Sequence, residues 1–184
     1  LAGITISYYI DNTNVGFYSL AITAALPLTM LPSSFGTTFF KAFVSYVKIP
    51  RKVILITAGI GLTALLGFLL FIDEIVLFLY TEEFSPVIGL SYYIAIGSLF
   101  HGFGDFLNRF ISAKGLGKMI RNSNFILGAV NTAGFIILPR YFGVEGAAIT
   151  RFIAGIVYFL LLLSFYLRYQ RDRRREINTE EYGQ

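Results

Sequence analysis

The stretch "VILITAGIGLTALLGFLLFI" occupies positions 53–72 and contains no Asp, Glu, Lys, Arg or His. An α-helix needs about 20 consecutive apolar residues to cross the ~30 Å hydrocarbon core of a bilayer, and this stretch is long enough to do so. A transmembrane β-strand would alternate between apolar and polar residues, and this stretch does not. It therefore predicts a membrane-spanning helix.

The rest of the chain repeats this pattern. Hydrophobic residues make up 55% of the 184 residues, charged residues only 14%, and the mean hydropathy is +0.68, whereas a soluble domain carries about 25% charge. We expect an all-α polytopic membrane protein, a helical bundle with about six transmembrane helices. Its predicted domain, 1–167, holds spans at about 1–10 (partial), 15–40, 53–72, 86–111, 122–138 and 146–167, and a basic tail, 168–184, follows. Because the first span is truncated and Leu1 is not Met, we expect the chain to be a fragment.

The charges lie between these spans, and their signs alternate along the chain. The links 41–52 and 112–121 and the tail 168–184 are rich in Lys and Arg, whereas the loops 11–16, 73–86 and 139–146 contain a single base, Arg140. Lys and Arg accumulate on the cytoplasmic side of multi-pass proteins. We therefore predict a multi-pass protein of the cytoplasmic (plasma) membrane with a cytoplasmic C-terminus. This topology accounts for the net charge of +4, so we predict no nucleic-acid partner.

Composition also excludes several kinds of site. The chain has no Cys and one His, which leaves out disulfides, thiolate ligands and the usual zinc motifs. The acidic residues of the 73–86 loop match no recognised pair of catalytic carboxylates. We predict no catalytic residues, no metal and no cofactor.

The stretch "HGFGDFLNRF" (101–110) places His101, Asp105 and Arg109 four residues apart, with Asn108 beside them. Residues at this spacing share one face of a helix, and a charge near the bilayer centre costs about 2.5–3.5 kcal/mol. The face should therefore turn toward other helices or a wet cavity. Two interpretations remain open: an Asp105–Arg109 ion pair near the interface, or the lining of an aqueous pathway.

Arg151 lies inside the last predicted span, between Ala147 and Gly155 at four residues on either side. Small residues let membrane helices approach closely, so this face should pack on protein. Arg151 then either bonds backbone carbonyls across helices or presents a cation to an anionic substrate. The spacing of Gly146, Thr150 and Ala154, and that of Gly59, Thr63 and Gly67, predict two further packing faces.

Pro27 and Pro32 interrupt the predicted span at 15–40. Each proline removes a backbone donor and clashes with the preceding turn. Broken helices occur at membrane depth where they line a cavity, so both prolines are candidates for a helix break, with a simple kink as the alternative.

Three stretches resemble the carboxy-terminal half of the polysaccharide flippases, which belong to the multidrug/oligosaccharidyl-lipid/polysaccharide exporter superfamily. They are "DNTNVGFYSLA" (11–21), "FIDEIVLFLYTEEFSPVIGLSYYIAIG" (71–97) and "YFGVEGAAIT" (141–150). The resemblance implies one half of a two-bundle transporter, whose other partner is an N-terminal helical bundle of the same chain. It also implies a transporter rather than an enzyme, which moves an anionic polyprenyl-linked glycan across the bilayer by alternating access.

The resemblance implies that basic residues in a central cavity contact the anionic headgroup of the substrate. Arg151 and Arg109 are the candidates for this contact. His101, Asp105 and Asn108 are candidates for lining the pathway or coupling an ion. Three other functions remain open. One is a cation-coupled multidrug exporter of the same superfamily, with Asp105 as the coupling acid. The others are an integral-membrane transferase of cell-envelope biosynthesis and a non-transporting membrane scaffold.

Overall fold

The computed structural model describes residues 2–80 and 82–182, with side chains described through residue 175. All of its elements are helical: α1 (Ala2–Tyr9), α2 (Asn12–Thr38), α3 (Phe40–Ser45), α4 (Arg51–Leu79), a 3₁₀ turn (Glu82–Phe84), α5 (Ser85–Ala113) and α6 (Gly117–Tyr182). In these residues, α2, α5, α4 and the 117–175 part of α6 are long and apolar enough to cross a membrane. The prediction of an all-α, multi-pass membrane bundle is confirmed.

Helix α6 turns back on itself at Gly143. This residue has φ 60° and ψ −144°, a backbone conformation that only glycine adopts readily. A Cβ atom on Gly134 would contact the Thr150 side chain, and one on Gly146 would lie against the carbonyl group of Leu138. Residues 117–142 and 144–182 therefore form the two antiparallel arms of a hairpin, here called the first and second arms. They contain the spans predicted at 122–138 and 146–167.

Helix α5 is the centre of the bundle and packs against α2, α4 and α6. Its closest approaches are made by glycines. A Cβ atom on Gly155 of the second arm would lie 2.0 Å from the carbonyl oxygen of Gly97, and one on Gly102 would lie 2.6 Å from that of Thr29 in α2. The Thr29 hydroxyl also donates a hydrogen bond to the Ser98 carbonyl oxygen, at 3.0 Å. The backbones of α5 and its neighbours are thus in direct contact.

The packing face predicted at Gly146, Thr150 and Ala154 is confirmed, because all three residues are buried. The other predicted face is wrong for the described part of the chain. Added Cβ atoms on Gly59 and Gly67 would meet nothing within 4 Å. The reason is that α4 lies at the edge of the bundle and turns most of its apolar surface outward, with Leu66 61% exposed.

Helix α2 continues through both prolines and ends at Thr38, so neither Pro27 nor Pro32 breaks it. Each proline removes one intrahelical hydrogen bond, but the turns on either side keep theirs. Pro32 is fully buried, whereas Pro27 is exposed. The chain leaves the helix only at Phe39, before the short helix α3.

Two helices extend beyond their predicted spans. Helix α4 ends at Leu79 instead of 72, because "DEIVLFL" (73–79) contains no Pro or Gly and buries Val76. Helix α6 continues to Tyr182 through residues that were assigned to a tail, since a solvated run of Arg and Glu is compatible with a helix.

The two ends of the bundle carry opposite charge. At one end, the Lys114 ammonium group donates to the Val44 carbonyl oxygen (2.9 Å) and the Ile49 N–H donates to the Tyr166 hydroxyl (3.2 Å), which joins the two basic links to the second arm. At the other end, the Tyr92 hydroxyl donates to Asp73 at 2.7 Å. We call these the basic end and the acidic end.

Asp11 also lies at the acidic end, where it caps α2. Its carboxylate accepts a hydrogen bond from the backbone N–H of Asn14 at 2.7 Å. This bond, with a second from the Asn14 side chain, holds the pKa of Asp11 below its usual range. The carboxylate therefore remains charged beside the positive end of the helix dipole.

The close contact between α5 and the second arm makes a prediction for two matched glycine variants. Gly155→Ala places a methyl group against the backbone of Gly97 and should destabilise the protein by about 1–3 kcal/mol, as overpacking does. Gly59→Ala, on the outward face of α4, should be neutral or stabilising by up to about 1 kcal/mol. Thermal unfolding of the purified variants in detergent measures both, and equal stability of the two variants would contradict the described packing.

Candidate functional site

Three residues of the polar face predicted on α5, namely His101, Asp105 and Asn108, turn toward the second arm of α6. The His101 ring stacks on the ring of Tyr158, with centroids 4.7 Å apart. Gly104 makes room for this contact, because a Cβ atom there would lie 2.5 Å from the Tyr158 ring. His101 and Asp105 are partly buried and Tyr158 is 3% exposed. The polar side chains thus avoid lipid by meeting another helix.

The Tyr158 hydroxyl joins these side chains into a network. It donates a hydrogen bond to the Asp105 carboxylate (3.1 Å) and accepts one from the Asn108 side-chain amide (2.7 Å). The Asn108 carbonyl oxygen in turn accepts from the Ser112 hydroxyl at 3.1 Å. We call these five residues, His101, Asp105, Asn108, Ser112 and Tyr158, the polar cluster.

The polar cluster covers a large part of the membrane depth. From His101 to Ser112, α5 rises about 16 Å, which is roughly half the thickness of the hydrocarbon core. The cluster begins near the middle of α5 and ends close to the basic end, where Ala113 is the last residue of the helix. Its polar side chains therefore form a row along one half of the length that spans the membrane.

Asp105 and Arg109 form no ion pair within 4.0 Å in the part of the chain that the structure describes. The interpretation of this face as a structural ion pair is therefore wrong. Arg109 is exposed, and its aliphatic stem packs where Gly36 of α2 leaves space. Asp105 takes its hydrogen bond from Tyr158 instead, because the ring of Tyr158 is held beside α5 by Gly104.

Arg151 lies seven residues, or about 10 Å along the helix, before Tyr158 toward the acidic end. Its backbone packs against Gly97, as predicted from the small residues around it. Its guanidinium group interacts electrostatically with His101 and with Tyr18 of α2. The buried Nε atom has no hydrogen-bond partner among the described residues, and the buried Tyr18 hydroxyl has none either.

Buried polar groups in proteins are nearly always hydrogen-bonded, so two unsatisfied donors near one another indicate a place for a further acceptor. An arginine with a free donor and a tyrosine hydroxyl would suit a phosphate or carboxylate group. No group of three or more His, Asp or Glu side chains that could hold a metal ion occurs in the described residues.

The sequence analysis named His101, Asp105, Asn108, Arg109 and Arg151 as candidates but did not name Tyr158 or Tyr18. The spacing offered one signal for Tyr158: it follows Arg151 by seven residues and so shares its helix face. No comparable signal exists for Tyr18, which comes within electrostatic range of Arg151 only because α2 packs against the other helices.

Comparisons of the chain with protein-family models, with curated protein sequences and with solved structures return no match.

The hydrogen-bond network predicts that Asp105 and Tyr158 are energetically coupled. Tyr158→Phe removes the donor to Asp105, and Asp105→Ala removes the acceptor. The double variant should therefore lose less unfolding free energy than the two single variants lose together. Hydrogen bonds between membrane helices are worth about 0.6 kcal/mol on average and up to about 1.7 kcal/mol. Unfolding free energies of the four proteins in mixed micelles give the coupling.

Tyr141→Phe, at an exposed tyrosine of the first arm, is the control and should show no coupling to Asp105→Ala. If Asp105→Ala costs as much in the Tyr158→Phe background as in the unmodified protein, the hydrogen bond contributes nothing.

Proposed function

We propose that this chain is part of a membrane transporter that moves an anionic lipid-linked oligosaccharide across the plasma membrane by alternating access. The observation that carries the proposal is the buried Nε atom of Arg151, which has no hydrogen-bond partner among the described residues. In this proposal the donors of Arg151 bind the phosphate groups of the substrate, for which the fork of an arginine is well suited.

The environment of Arg151 supports an anionic substrate. Arg109 is exposed, whereas Arg151 is partly buried and forms no ion pair within 4.0 Å among the described residues. A buried charge needs a counter-charge or water. An anionic headgroup that arrives with some of its water provides both.

The polar cluster supports movement along the bundle. It lies between Arg151 and the basic end, so a hydrated headgroup that passes along α5 meets polar side chains there instead of hydrocarbon. In this proposal a second bundle, formed by an N-terminal part of the same chain, closes the other side of the pathway. The basic end faces the cytoplasm, following the distribution of Lys and Arg, and the C-terminus is cytoplasmic.

A second candidate function is a cation-coupled multidrug exporter, and the environment of Asp105 favours it. Its carboxylate accepts a hydrogen bond from the neutral Tyr158 hydroxyl. Among the described residues, it forms no ion pair with a basic side chain within 4.0 Å. A carboxylate without an ion-pair partner is a candidate ligand for a coupling cation. No observation favours the third alternative, a membrane transferase.

Arg151→Ala distinguishes these functions. In cells that depend on the protein for surface polysaccharide, this variant should reduce export at least tenfold, because one charge-assisted contact to phosphate is worth about 1.5–3 kcal/mol. Arg140→Ala, at an exposed base near the hairpin turn, is the control and should leave export unchanged. Quantification of surface polysaccharide, with protein amounts measured by immunoblot, provides the readout.

Unchanged export by Arg151→Ala at normal protein levels would contradict the proposal. If instead Asp105→Asn abolishes gradient-driven efflux of a cationic dye while Arg151→Ala leaves that efflux intact, the protein is the drug exporter.

A further inference from the structure

An apolar groove lies between the beginning of α4, the middle of α5 and the second arm of α6. It has a volume of about 190 Å³, and its walls include Ile54, Thr57, Phe103, Phe159 and Leu163. In another protein, an enclosed apolar cavity of about 150 Å³ contains no water and binds a small hydrocarbon. Thr57 contributes to the wall with its apolar atoms, because its hydroxyl oxygen is buried.

A second depression lies at the basic end of the bundle, where the link before α4 meets the second arm. It is lined by Val47, Lys48, Gln170, Arg173 and Arg174 and also has a volume of about 190 Å³. None of the acidic side chains that the structure describes lines it. We call it the basic crevice, and it offers cationic groups from two separate parts of the chain.

The groove and the basic crevice follow one face of the second arm. Leu163, Tyr166, Gln170 and Arg174 succeed one another at spacings of three or four residues, which places them in one stripe. The Tyr166 ring lines the groove, while its hydroxyl accepts hydrogen bonds from the Ile49 N–H and from the Gln170 side chain beside the crevice. Tyr166 therefore lies between the groove and the basic crevice.

The length of this stripe matches one leaflet of a bilayer. From Leu163 to Arg174 the helix rises about 16 Å, close to half of the ~30 Å hydrocarbon core. A molecule that reached from the groove to the crevice would place its apolar part at membrane depth and its charge at the surface.

We propose that the groove and the basic crevice together bind one anionic phospholipid of the surrounding bilayer. Its phosphate group lies between Lys48 and Arg174, and one acyl chain occupies the groove. Charge complementarity selects an anionic headgroup, as in other basic pockets beside membrane helices. The site is separate from Arg151 and does not depend on the transport function proposed above.

Paired charge variants test the headgroup contact. The purified protein in neutral detergent is titrated with dioleoyl phosphatidylglycerol or dioleoyl phosphatidylcholine, and bound lipid is counted by native mass spectrometry. Phosphatidylglycerol should bind more tightly. Lys48→Gln with Arg174→Gln should weaken its binding about 25-fold, at about fivefold for each base. Lys41→Gln with Lys118→Gln removes the same charge from exposed positions at the same end and should change the affinity less than twofold.

Ala58→Leu tests the acyl-chain contact, because residue 58 lines the groove. It should weaken dioleoyl phosphatidylglycerol binding and leave the binding of short-chain dihexanoyl phosphatidylglycerol unchanged. Three results overturn the proposal: equal affinities for the two dioleoyl lipids, equal losses in the two charge-pair variants, or displacement of dioleoyl phosphatidylglycerol by an equal concentration of inorganic phosphate. The last result would identify a site for free anions.

Discussion

The structure depends on direct contact between the backbone of α5 and the helices on either side. Lipid offers apolar side chains as favourable an environment as protein does, so hydrophobicity alone does not hold membrane helices together. Gly97 and Gly155 remove the side chains that would keep α5 from the second arm, and Gly102 does the same toward α2. The same close approach sets the register in which the polar residues of α5 meet Tyr158.

This register determines which side chains surround the polar cluster and the two arginines. Asp105 is satisfied by a neutral tyrosine hydroxyl, so its charge does not cancel that of Arg109 or Arg151 through an ion pair within the described residues. A partly buried arginine without an ion-pair partner, in a medium of low dielectric constant, attracts anions strongly. The transport of an anionic lipid-linked glycan that we propose would use this arrangement, and the proposed phospholipid site in the apolar groove is separate from it.

The sequence predicted the fold class and the positions of the long helices because charge-free runs are dictated by the thickness of the bilayer. It also predicted that Arg151 faces protein, from the small residues around it. It did not predict the partner of Asp105: the local spacing favoured Arg109, but the tertiary position of Tyr158 decided the bond. It could not show that Gly59 and Gly67 face outward, because the spacing of small residues does not say whether a neighbouring helix is present.

The most direct test of the account is whether water reaches Arg151 in the folded protein. The chain contains no cysteine, so Arg151→Cys and Leu160→Cys each introduce a single thiol, the second at a 54% exposed apolar position on the same arm. A water-soluble cationic methanethiosulfonate reagent, applied to the protein in native membranes, should modify residue 151 and spare residue 160, which faces lipid. Modification of residue 160 but not of residue 151 would contradict a pathway along the inner face of the bundle.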